Sequence, residues 1–358
     1  MKVTADGKPQ TQERMLGVIR FSPEGRTLYG GGLDGSVSRW EMKEAVLTKA
    51  AILGGKGLPS PSQSSLSPLP SLKGHAGWVQ ALAVGPAGRV YSGDSWGRLI
   101  AWKDDKPIRD IADAHAGWIR KLALSPDGKT LASCDHLGIV RFWDAQTLKR
   151  TGEIVHGTDV LALSYAADGS LFYGDLKGVI VRHDGAKEMR RYEATGLYLL
   201  SRIQDVGGVR CLALSPDGKT LAAGGIKANV GGFVQGAAQV SYFDAGTGKL
   251  TQTLVFGGEN EGYVLDIHWH SAGVLIGVTS GQPGSGQLFF HKPGDAAPTT
   301  GVKLANGHSL AIHPEGKCLV AMTTLRLGGN GRGNGKEYPA NTTPLHVLRL
   351  ELPTQGKG

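Results

Sequence analysis

Short apolar stretches recur along the chain, and a polar turn of one type follows each of them. Within the stretches apolar and small or polar residues alternate, which is the period of a half-buried β-strand. The turn occurs in full at three places, as FSPEGRTL (21–28), LSPDGKTL (124–131) and LSPDGKTL (214–221). Degenerate copies stand at 84–90, 164–171, 268–275 and 312–319. Because proline presets φ and glycine accepts a positive φ, each copy predicts a β-hairpin.

The turn glycines measure the length of the repeat. They are Gly25, Gly88, Gly128, Gly169, Gly218, Gly273 and Gly316. The shorter spacings of 40, 41 and 43 residues match a four-stranded unit of about 40–45 residues, the blade period of a propeller. The longer spacings of 49, 55 and 63 residues indicate insertions. Seven copies predict seven blades in a single domain, since no unit can bury its faces alone.

The third copy shows what one unit contains. Residues 119–124 predict a first strand, and 130–135 predict a second strand rich in small residues that let neighbouring sheets approach closely. Gly138 predicts the next turn, into a third strand at 139–143. A fourth strand precedes the following unit, as at 107–112. No convincing amphipathic helix is found, 44–53 being the one doubtful candidate, so the fold class is all-β.

These units resemble the WD-repeat family. The residues that carry the match are GH-x-x-x-V at 74–79, AH-x-x-x-I at 114–119, the S-P-D-G turns, and the strand-ending Trp40, Trp102 and Trp143-Asp144. The resemblance covers about residues 16–351 and implies a closed seven-bladed β-propeller of four-stranded antiparallel sheets. The expected blades are 17–53, 74–112, 114–155, 156–200, 207–257, 262–304 and 307–351, in one domain over 1–358.

Closure of the ring needs a further strand, because the last unit shows only three. An edge left open would be free to pair with other chains. As in the family, part of residues 1–14 is expected to supply the outer strand of the last blade.

The family also implies a buried chain of hydrogen bonds among a histidine, a serine, a turn aspartate and a tryptophan. Two blades carry three of these residues each, namely His75, Ser92 and Trp102, and His115, Ser133 and Trp143. Asp94 and Asp135, two positions before the usual place, lie on the same strand face as the serines. They either accept the histidine proton or form, with Asp175, an acidic arc that faces a ligand.

The usual place of the turn aspartate holds Trp96, Leu137 and Lys177 in blades 2 to 4. Large apolar groups in turns are not required by the fold, and aromatic anchors dominate binding energy. These three residues, with Trp78 and Trp118, are therefore the candidate partner-binding residues. For Trp78 and Trp118 the alternative is that they only pack over the blade junction. The insertions at 187–207, 226–239, 281–287 and 326–343 are expected to elaborate the same face, and 54–70 is expected to be a flexible loop. The outer strand of blade 1 is expected at either 45–53 or 69–73.

Charge and cysteine content change this picture little. The net charge of +8 is spread over the chain, so it favours a solvated surface. The candidate residues for a weak attraction to nucleic acid are Arg190, Arg191, Arg326, Arg332 and Lys336. Because the charge is not clustered, a nucleic-acid partner is not expected. Three cysteines, an odd number, favour free thiols and a reducing compartment. No signal peptide and no apolar run of membrane length is found, which favours a cytoplasmic protein with no membrane contact.

Three apparent motifs of enzymes or metal sites fail. The G-x-S-x-G at 93–97 lies in a predicted β-hairpin rather than a strand–turn–helix. The glycine-rich 328–336 lacks the residues of a phosphate loop. His268 and His270 share a strand face without a third ligand. No cofactor and no metal are expected.

The sequence therefore predicts a non-enzymatic scaffold, a monomeric propeller that binds a protein or peptide on one face. The alternative is a lactonase-like propeller hydrolase with Asp94, Asp135, Asp175 and Asp266 at the channel mouth. Carboxylates that converge on the axis would favour the hydrolase, and carboxylates each tied to a partner in its own blade would favour the scaffold.

Overall fold

The computed structural model describes residues 2–43, 64–201, 204–228, 236–324 and 342–351. In these ranges the chain forms seven antiparallel sheets that each contain a four-stranded blade, together with one extra hairpin. The only helical element there is a 3-10 turn at Thr195–Leu197. The predicted all-β, seven-bladed propeller is confirmed.

The strands follow each other outward in every blade from 1 to 6, the first strand being innermost. Two short strands come before blade 1, β1 (Lys2–Ala5) and β2 (Gln10–Gln12). Blade 1 consists of β3 (Leu16–Phe21), β4 (Thr27–Gly32), β5 (Ser36–Lys43) and β6 (Ser65–Lys73). Blade 2 consists of β7 (Val79–Val84), β8 (Val90–Asp94), β9 (Leu99–Lys103) and β10 (Lys106–Ile111). Blade 3 consists of β11 (Ile119–Leu124), β12 (Thr130–Asp135), β13 (Ile139–Asp144) and β14 (Arg150–Val155).

Blade 4 consists of β15 (Val160–Tyr165), β16 (Leu171–Asp175), β17 (Val179–His183) and β18 (Glu188–Glu193), and the extra hairpin of β19 (Tyr198–Ser201) and β20 (Gln204–Gly207) follows it. Blade 5 consists of β21 (Cys211–Leu214), β22 (Thr220–Ala228), β23 (Gly236–Asp244) and β24 (Leu250–Phe256). Blade 6 consists of β25 (Tyr263–His270), β26 (Val274–Ser280), β27 (Gln287–His291) and β28 (Thr299–Lys303). Blade 7 contains β29 (Gly307–Ile312), β30 (Cys318–Thr323) and β31 (Thr343–Glu351).

The hydrophobic core lies between blades. Each large cluster of buried side chains combines two neighbouring sheets, for example Tyr91 and Leu99 of blade 2 with Ile119 and Leu131 of blade 3. The small residues of the second strands allow this packing, because a Cβ on Gly93 would lie only 2.8 Å from Ile119 of the next blade. Innermost strands contact one another in order around the molecule, and the innermost strand of blade 7 contacts that of blade 1.

The outer strand of blade 1 differs from the prediction. It is Ser65–Lys73, paired with Ser36–Lys43, so blade 1 extends past the predicted end at residue 53. Residues 65–70 are strand rather than flexible loop. Pro68 and Pro70 obscured this strand, yet proline is acceptable at the outer edge of a sheet, where one side of the backbone has no partner. The doubtful helix at 44–53 and the remainder of the 54–70 prediction, up to residue 63, lie outside the described residues.

Blade 7 receives its outer strand from the other end of the chain. Lys2–Ala5 pairs antiparallel with Thr343–Glu351, and Gln10–Gln12 pairs with the first residues of the same strand. Between the two short strands the backbone N–H of Asp6 donates to Val347. The buried carboxylate of Asp6 accepts hydrogen bonds from Arg349 Nε at 2.9 Å and from the Ser64 N–H at 3.1 Å.

Candidate functional site

Two kinds of connection share one end of the blades. Because the strands of a blade are antiparallel, the loop from the preceding blade and the turn between the second and third strands lie at the same end. This end is called the loop face here, and the opposite end, with the S-P-D-G hairpins, the turn face. Trp78 and Trp118 follow inter-blade loops, and Trp96, Leu137 and Lys177 lie in turns of the loop face.

A buried chain of hydrogen bonds joins both connections in blade 2. Trp102 Nε1 donates to Ser92 Oγ at 2.7 Å, and Ser92 Oγ lies 2.6 Å from His75 Nε2. His75 Nδ1 lies 2.9 Å from Asp94 Oδ2. With Asp94 as the acceptor, His75 carries its proton on Nδ1 and Nε2 accepts from the serine. The histidine of the inter-blade loop is thereby attached to the second and third strands.

Blade 3 repeats this geometry. Trp143 Nε1 donates to Ser133 Oγ at 2.8 Å, Ser133 Oγ lies 2.6 Å from His115 Nε2, and His115 Nδ1 lies 2.8 Å from Asp135 Oδ2. The other carboxylate oxygen, Oδ1, accepts from the backbone N–H groups of Leu137 and Ile139 at 3.0 and 2.9 Å. One aspartate thus holds both the histidine and the turn.

The aspartates are fully buried in these contacts. Burial alone would raise the pKa of Asp94, but the hydrogen bonds from His75 and from the backbone of Arg98 and Trp96 outweigh it and lower that pKa. The pKa of Asp135 is lowered in the same way, against the effect of burial, by His115 and the turn amides. Both carboxylates are therefore held in the charged form and used inside their own blades.

Blade 4 keeps only part of the chain, and sequence reasoning missed it. His156 Nε2 lies 2.8 Å from Asp175 Oδ2, and Asp175 Oδ1 accepts from the Lys177 N–H at 2.9 Å. Tyr173 stands where the serine would be, and its ring meets that of His156 edge-on. The signal was available, because a His–Asp spacing of 19 residues occurs both here and in blade 2.

Large apolar side chains are exposed on the loop face of blades 2 and 3. Trp96 is 73% exposed, and Trp78 and Leu137 are each 49% exposed. Trp96 covers the loop of its own blade, since a Cβ on Gly77 would collide with the indole. The Trp78 and Trp118 rings meet edge-on, with centroids 6.2 Å apart. These residues of the loop face of blades 2 and 3 are called the aromatic patch: Trp78, Trp96, Trp118 and Leu137.

Trp118 is held more firmly than its neighbours. The guanidinium of Arg120 lies over its ring, 4.2 Å from the centroid, and both ends of that guanidinium bind Asp159, at 3.1 and 2.7 Å. Trp118 is only partly exposed, and its Nε1 is buried with no hydrogen-bond partner in the described residues. Arg210 occupies the same position in blade 5 and lies over the Tyr263 ring of blade 6, 4.7 Å from the centroid, but the repeat pattern alone did not reveal either stack.

The turns between the second and third strands of blades 2 and 3 also form hydrogen bonds with the inter-blade loop that leads into the next blade. Gly97, with φ of +87°, accepts the His115 N–H on its carbonyl at 3.0 Å. Gly138 accepts the His156 N–H at 2.9 Å in the same way. A Cβ on Gly97 would collide with the His115 carbonyl oxygen. The aromatic patch therefore rests on backbone that is fixed within and between blades.

The other predicted features of this face are only partly described. Lys177 is exposed. The blade 5 insertion lengthens the Thr220–Ala228 and Gly236–Asp244 hairpin, and 229–235 lies outside the described residues. Residues 281–287 connect the second and third strands of blade 6, whereas 325–341 lies outside the described residues. Residues 187–207 form the outer strand of blade 4, the 3-10 turn and, apart from 202 and 203, the extra hairpin.

The carboxylates of the hydrolase alternative have separate partners. Asp94, Asp135 and Asp175 each bind a histidine, whereas Asp266 binds Arg20 at 3.0 Å. Over the described residues, no group of three or more His, Cys, Asp or Glu side chains has the arrangement of a metal site. All three cysteines are buried, the thiols of Cys134 and Cys211 are free, and burial raises the pKa of both.

The cations named for nucleic acid do not form one surface in the described residues. Arg190 donates to the Thr247 carbonyl at 2.8 Å, and Arg191 is paired with Glu188 at 2.9 Å. Arg326, Arg332 and Lys336 lie outside the described residues. No helix that the structure describes has the length and apolar character to cross a bilayer.

Two parts of the chain match a known family of repeats. The family described as WD domain, G-beta repeat matches residues 106–144 and 201–229. The first match begins in the outer strand of blade 2 and continues through three strands of blade 3, and the second includes the first two strands of blade 5. No curated protein matches the chain.

Proposed function

We propose that this chain, a seven-bladed propeller with WD repeats, is a non-enzymatic scaffold that binds a protein segment on the aromatic patch. The observation that carries the proposal is the 73% exposure of Trp96 in a turn that needs no large side chain. Exposing an indole to water is unfavourable, and interface hot spots are enriched in tryptophan.

The rigidity of the patch supports the same function. Asp94 and Asp135 hold the turns that present Trp96 and Leu137, and Arg120 holds Trp118. Because these groups are already ordered, a partner would lose little affinity to ordering them.

The chemistry of the patch favours a peptide with an apolar anchor beside an acidic residue. The accessible side chains of Trp78, Trp96 and Leu137 are apolar, and the exposed Lys177 adds a positive charge at the same position of the next turn. The buried carboxylates of Asp94 and Asp135 are committed to histidines, so they are not offered to a partner. The long hairpin of blade 5 belongs to the same face and would extend the contact.

The hydrolase alternative receives no support from this geometry. Its carboxylates are used by Arg20 and by the histidines of three blades. A scaffold needs only the fixed turns and the exposed anchors that the loop face provides.

The test is selection of binders from a displayed random peptide library on the wild-type protein, with affinities then measured for single peptides. The double variant Trp96→Ser/Leu137→Ser is expected to lose at least about tenfold in affinity, since each anchor buries apolar area worth about 1.5–3 kcal/mol. Lys177→Glu is expected to weaken peptides that contain an acidic residue and to spare those that do not.

Leu250→Ser is the matched control, because Leu250 is 46% exposed, close to the 49% of Leu137, but begins the outer strand of blade 5 at the turn face. It should bind the selected peptides as the wild type does. Peptides that bind the double variant with unchanged affinity, or a selection that yields no binder, would contradict the proposal.

A further inference from the structure

A single position on the seven innermost strands differs in charge from blade to blade. It follows the register shift near the start of the innermost strand in six blades and begins that strand in blade 5. It is occupied by Val18, Ala81, Lys121, Ala162, Cys211, Asp266 and Ser309. Five of these are small or neutral, so the fold does not require a charge there. Lys121 and Asp266 occupy it in blades 3 and 6.

Asp266 is fully engaged by neighbouring groups. Its Oδ2 accepts from Arg20 NH1 at 3.0 Å, from Ser309 Oγ at 2.7 Å and from the Leu310 N–H at 3.2 Å. Its Oδ1 lies 3.3 Å from His268 Nε2. Burial would raise the pKa of Asp266, but Arg20, His268 and Lys121 hold it well below its usual range. Arg20 and Asp266 thus neutralise each other as a buried, hydrogen-bonded pair.

Lys121 has no such partner. In the described residues it makes no hydrogen bond or ion pair, although it is close enough to Asp266 and Arg20 to feel their charges. Burial lowers the pKa of Lys121, and Asp266 opposes that effect only in part. An uncompensated ammonium inside a protein is costly, and alanine occupies the same position in blades 2 and 4.

These side chains line one cavity of about 340 Å³. It contains Arg20, Lys121 and His268, and it is bordered by Pro216 and Trp269 at the turn face, opposite the aromatic patch. His268 Nε2 faces the same cavity and has one acceptor within reach, Asp266 Oδ1 at 3.3 Å. Since a water molecule takes about 30 Å³, the cavity has room for a small polyatomic ion with its remaining waters.

We propose that this cavity binds a small oxyanion, a phosphate or carboxylate group, with Lys121 as its counter-charge and His268 as a hydrogen-bond donor. The cavity is lined by two basic side chains, Arg20 and Lys121, and by the single carboxylate of Asp266, which is bound to Arg20. An anion would give Lys121 the partner that it lacks. The site is separate from the aromatic patch and does not depend on the proposed peptide binding.

Calorimetric titration with inorganic phosphate, and separately with acetate, tests the proposal at low ionic strength. Wild-type protein is expected to bind at least one of these ions at one site, and the ion should raise its melting temperature beyond the effect of sodium chloride at equal ionic strength. Acetate binding would identify a general carboxylate site, and binding of phosphate alone a phosphate site. Lys121→Ala, which copies Ala81 and Ala162, should weaken binding at least tenfold.

Two further variants keep the result interpretable. Lys121→Arg retains the charge and should retain most of the affinity, whereas the exposed Lys187→Met removes a lysine from outside the cavity and should bind as the wild type does. In the absence of the anion, Lys121→Ala should melt no lower than the wild type, because it removes an uncompensated cation. Wild-type protein that binds neither ion, or Lys121→Ala that binds with unchanged affinity, would overturn the proposal.

Discussion

At the scale of single residues, the main departure from the repeat pattern is the place of two aspartates. Asp94 and Asp135 lie two positions before the usual place of the turn aspartate. Asp94 reaches His75 with one oxygen and the turn amides with the other. The turn therefore needs no aspartate of its own, and its tip is free to carry Trp96. At its shifted position Asp94 still holds the turn, while the indole of Trp96 at the tip of that turn is exposed.

The central serine of each chain is expected to stabilise the propeller. In Ser133→Ala, His115 Nε2 and Trp143 Nε1 lose their shared partner in a buried site, which should cost about 1–3 kcal/mol in the free energy of unfolding. Urea denaturation measures this. Ser170→Ala, which removes a hydroxyl bonded to Asp168 at the turn face, should cost less, and equal costs would argue against a special role of the chain.

The lowered pKa values of Asp94 and Asp135 predict how stability depends on pH. A carboxylate whose folded pKa lies below its unfolded value of about 3.9 stabilises the fold above that value, and the contribution is lost as pH falls through the folded pKa. The double variant Asp94→Asn/Asp135→Asn should be less stable at pH 7 and lose less stability between pH 5 and 3. Urea denaturation across this range decides, with the exposed Glu193→Gln as control; an unchanged pH slope in the double variant would contradict the prediction.

Several of these residues could be chosen from sequence, because His75, Ser92 and Trp102 follow a repeated spacing. The contact of Arg120 with Asp159 could not, since it joins two blades and the equivalent arginine of blade 5, Arg210, contacts the Tyr263 ring instead. His156 was overlooked because blade 4 lacks the serine and the tryptophan of the pattern.

At the scale of elements, the glycine turns connect successive blades. Gly97 combines a positive φ with a close approach to the backbone of His115, so two separate effects oppose a side chain there. Gly128, in an S-P-D-G hairpin, has φ of +69°, but a Cβ added to it would meet no other atom within 4 Å.

Alanine variants of Gly97 and Gly128 distinguish the cost of a positive φ from the cost of a steric clash with the next blade. Gly128→Ala should cost about 1–2 kcal/mol for the left-handed backbone alone. Gly97→Ala should cost about 1–3 kcal/mol more, because the turn must also move away from the next blade. Denaturant unfolding of both variants measures the difference, and equal losses would show that the blade contact is readily relaxed.

The element boundaries show what the sequence predicts well. Hairpins marked by proline and glycine were placed within a residue or two, whereas the outer strand of blade 1 was predicted only as one of two alternatives and begins four residues before the second of them, 69–73. Outer strands are half-exposed and touch few residues that constrain their composition, as the mixed sequence of Ser65–Lys73 shows. Tertiary pairing rather than local pattern defines such strands.

At the scale of the whole molecule, the ring depends on a strand from each end of the described chain. Lys2–Ala5 completes the sheet of blade 7, and Val3 packs against the buried cluster of blades 6 and 7. Seven turn copies were enough to predict the number of blades, because the repeat fixes it. The cavity that contains Lys121 and Asp266 was not predictable in this way, since it forms only where the innermost strands of several blades come together.

Deletion of residues 1–14 is expected to lower the melting temperature in a single cooperative transition, because the outer edge of Thr343–Glu351 loses its partner. A synthetic peptide of residues 1–14 added to the shortened protein should restore part of the loss. Differential scanning calorimetry measures both effects. A shortened protein that melts like the full chain would show that the strand does not stabilise the ring.

The pairing of Asp6 with Arg349 spans 343 positions of the chain. During synthesis the strand that seals the ring therefore emerges before the last blade and waits, unpaired, until that blade has been made. Closing so long a loop costs little more entropy than closing one half as long, so the delay concerns timing more than final stability. Refolding should accordingly contain a late step, slower than the formation of single blades, whose rate falls when Asp6 is replaced by alanine.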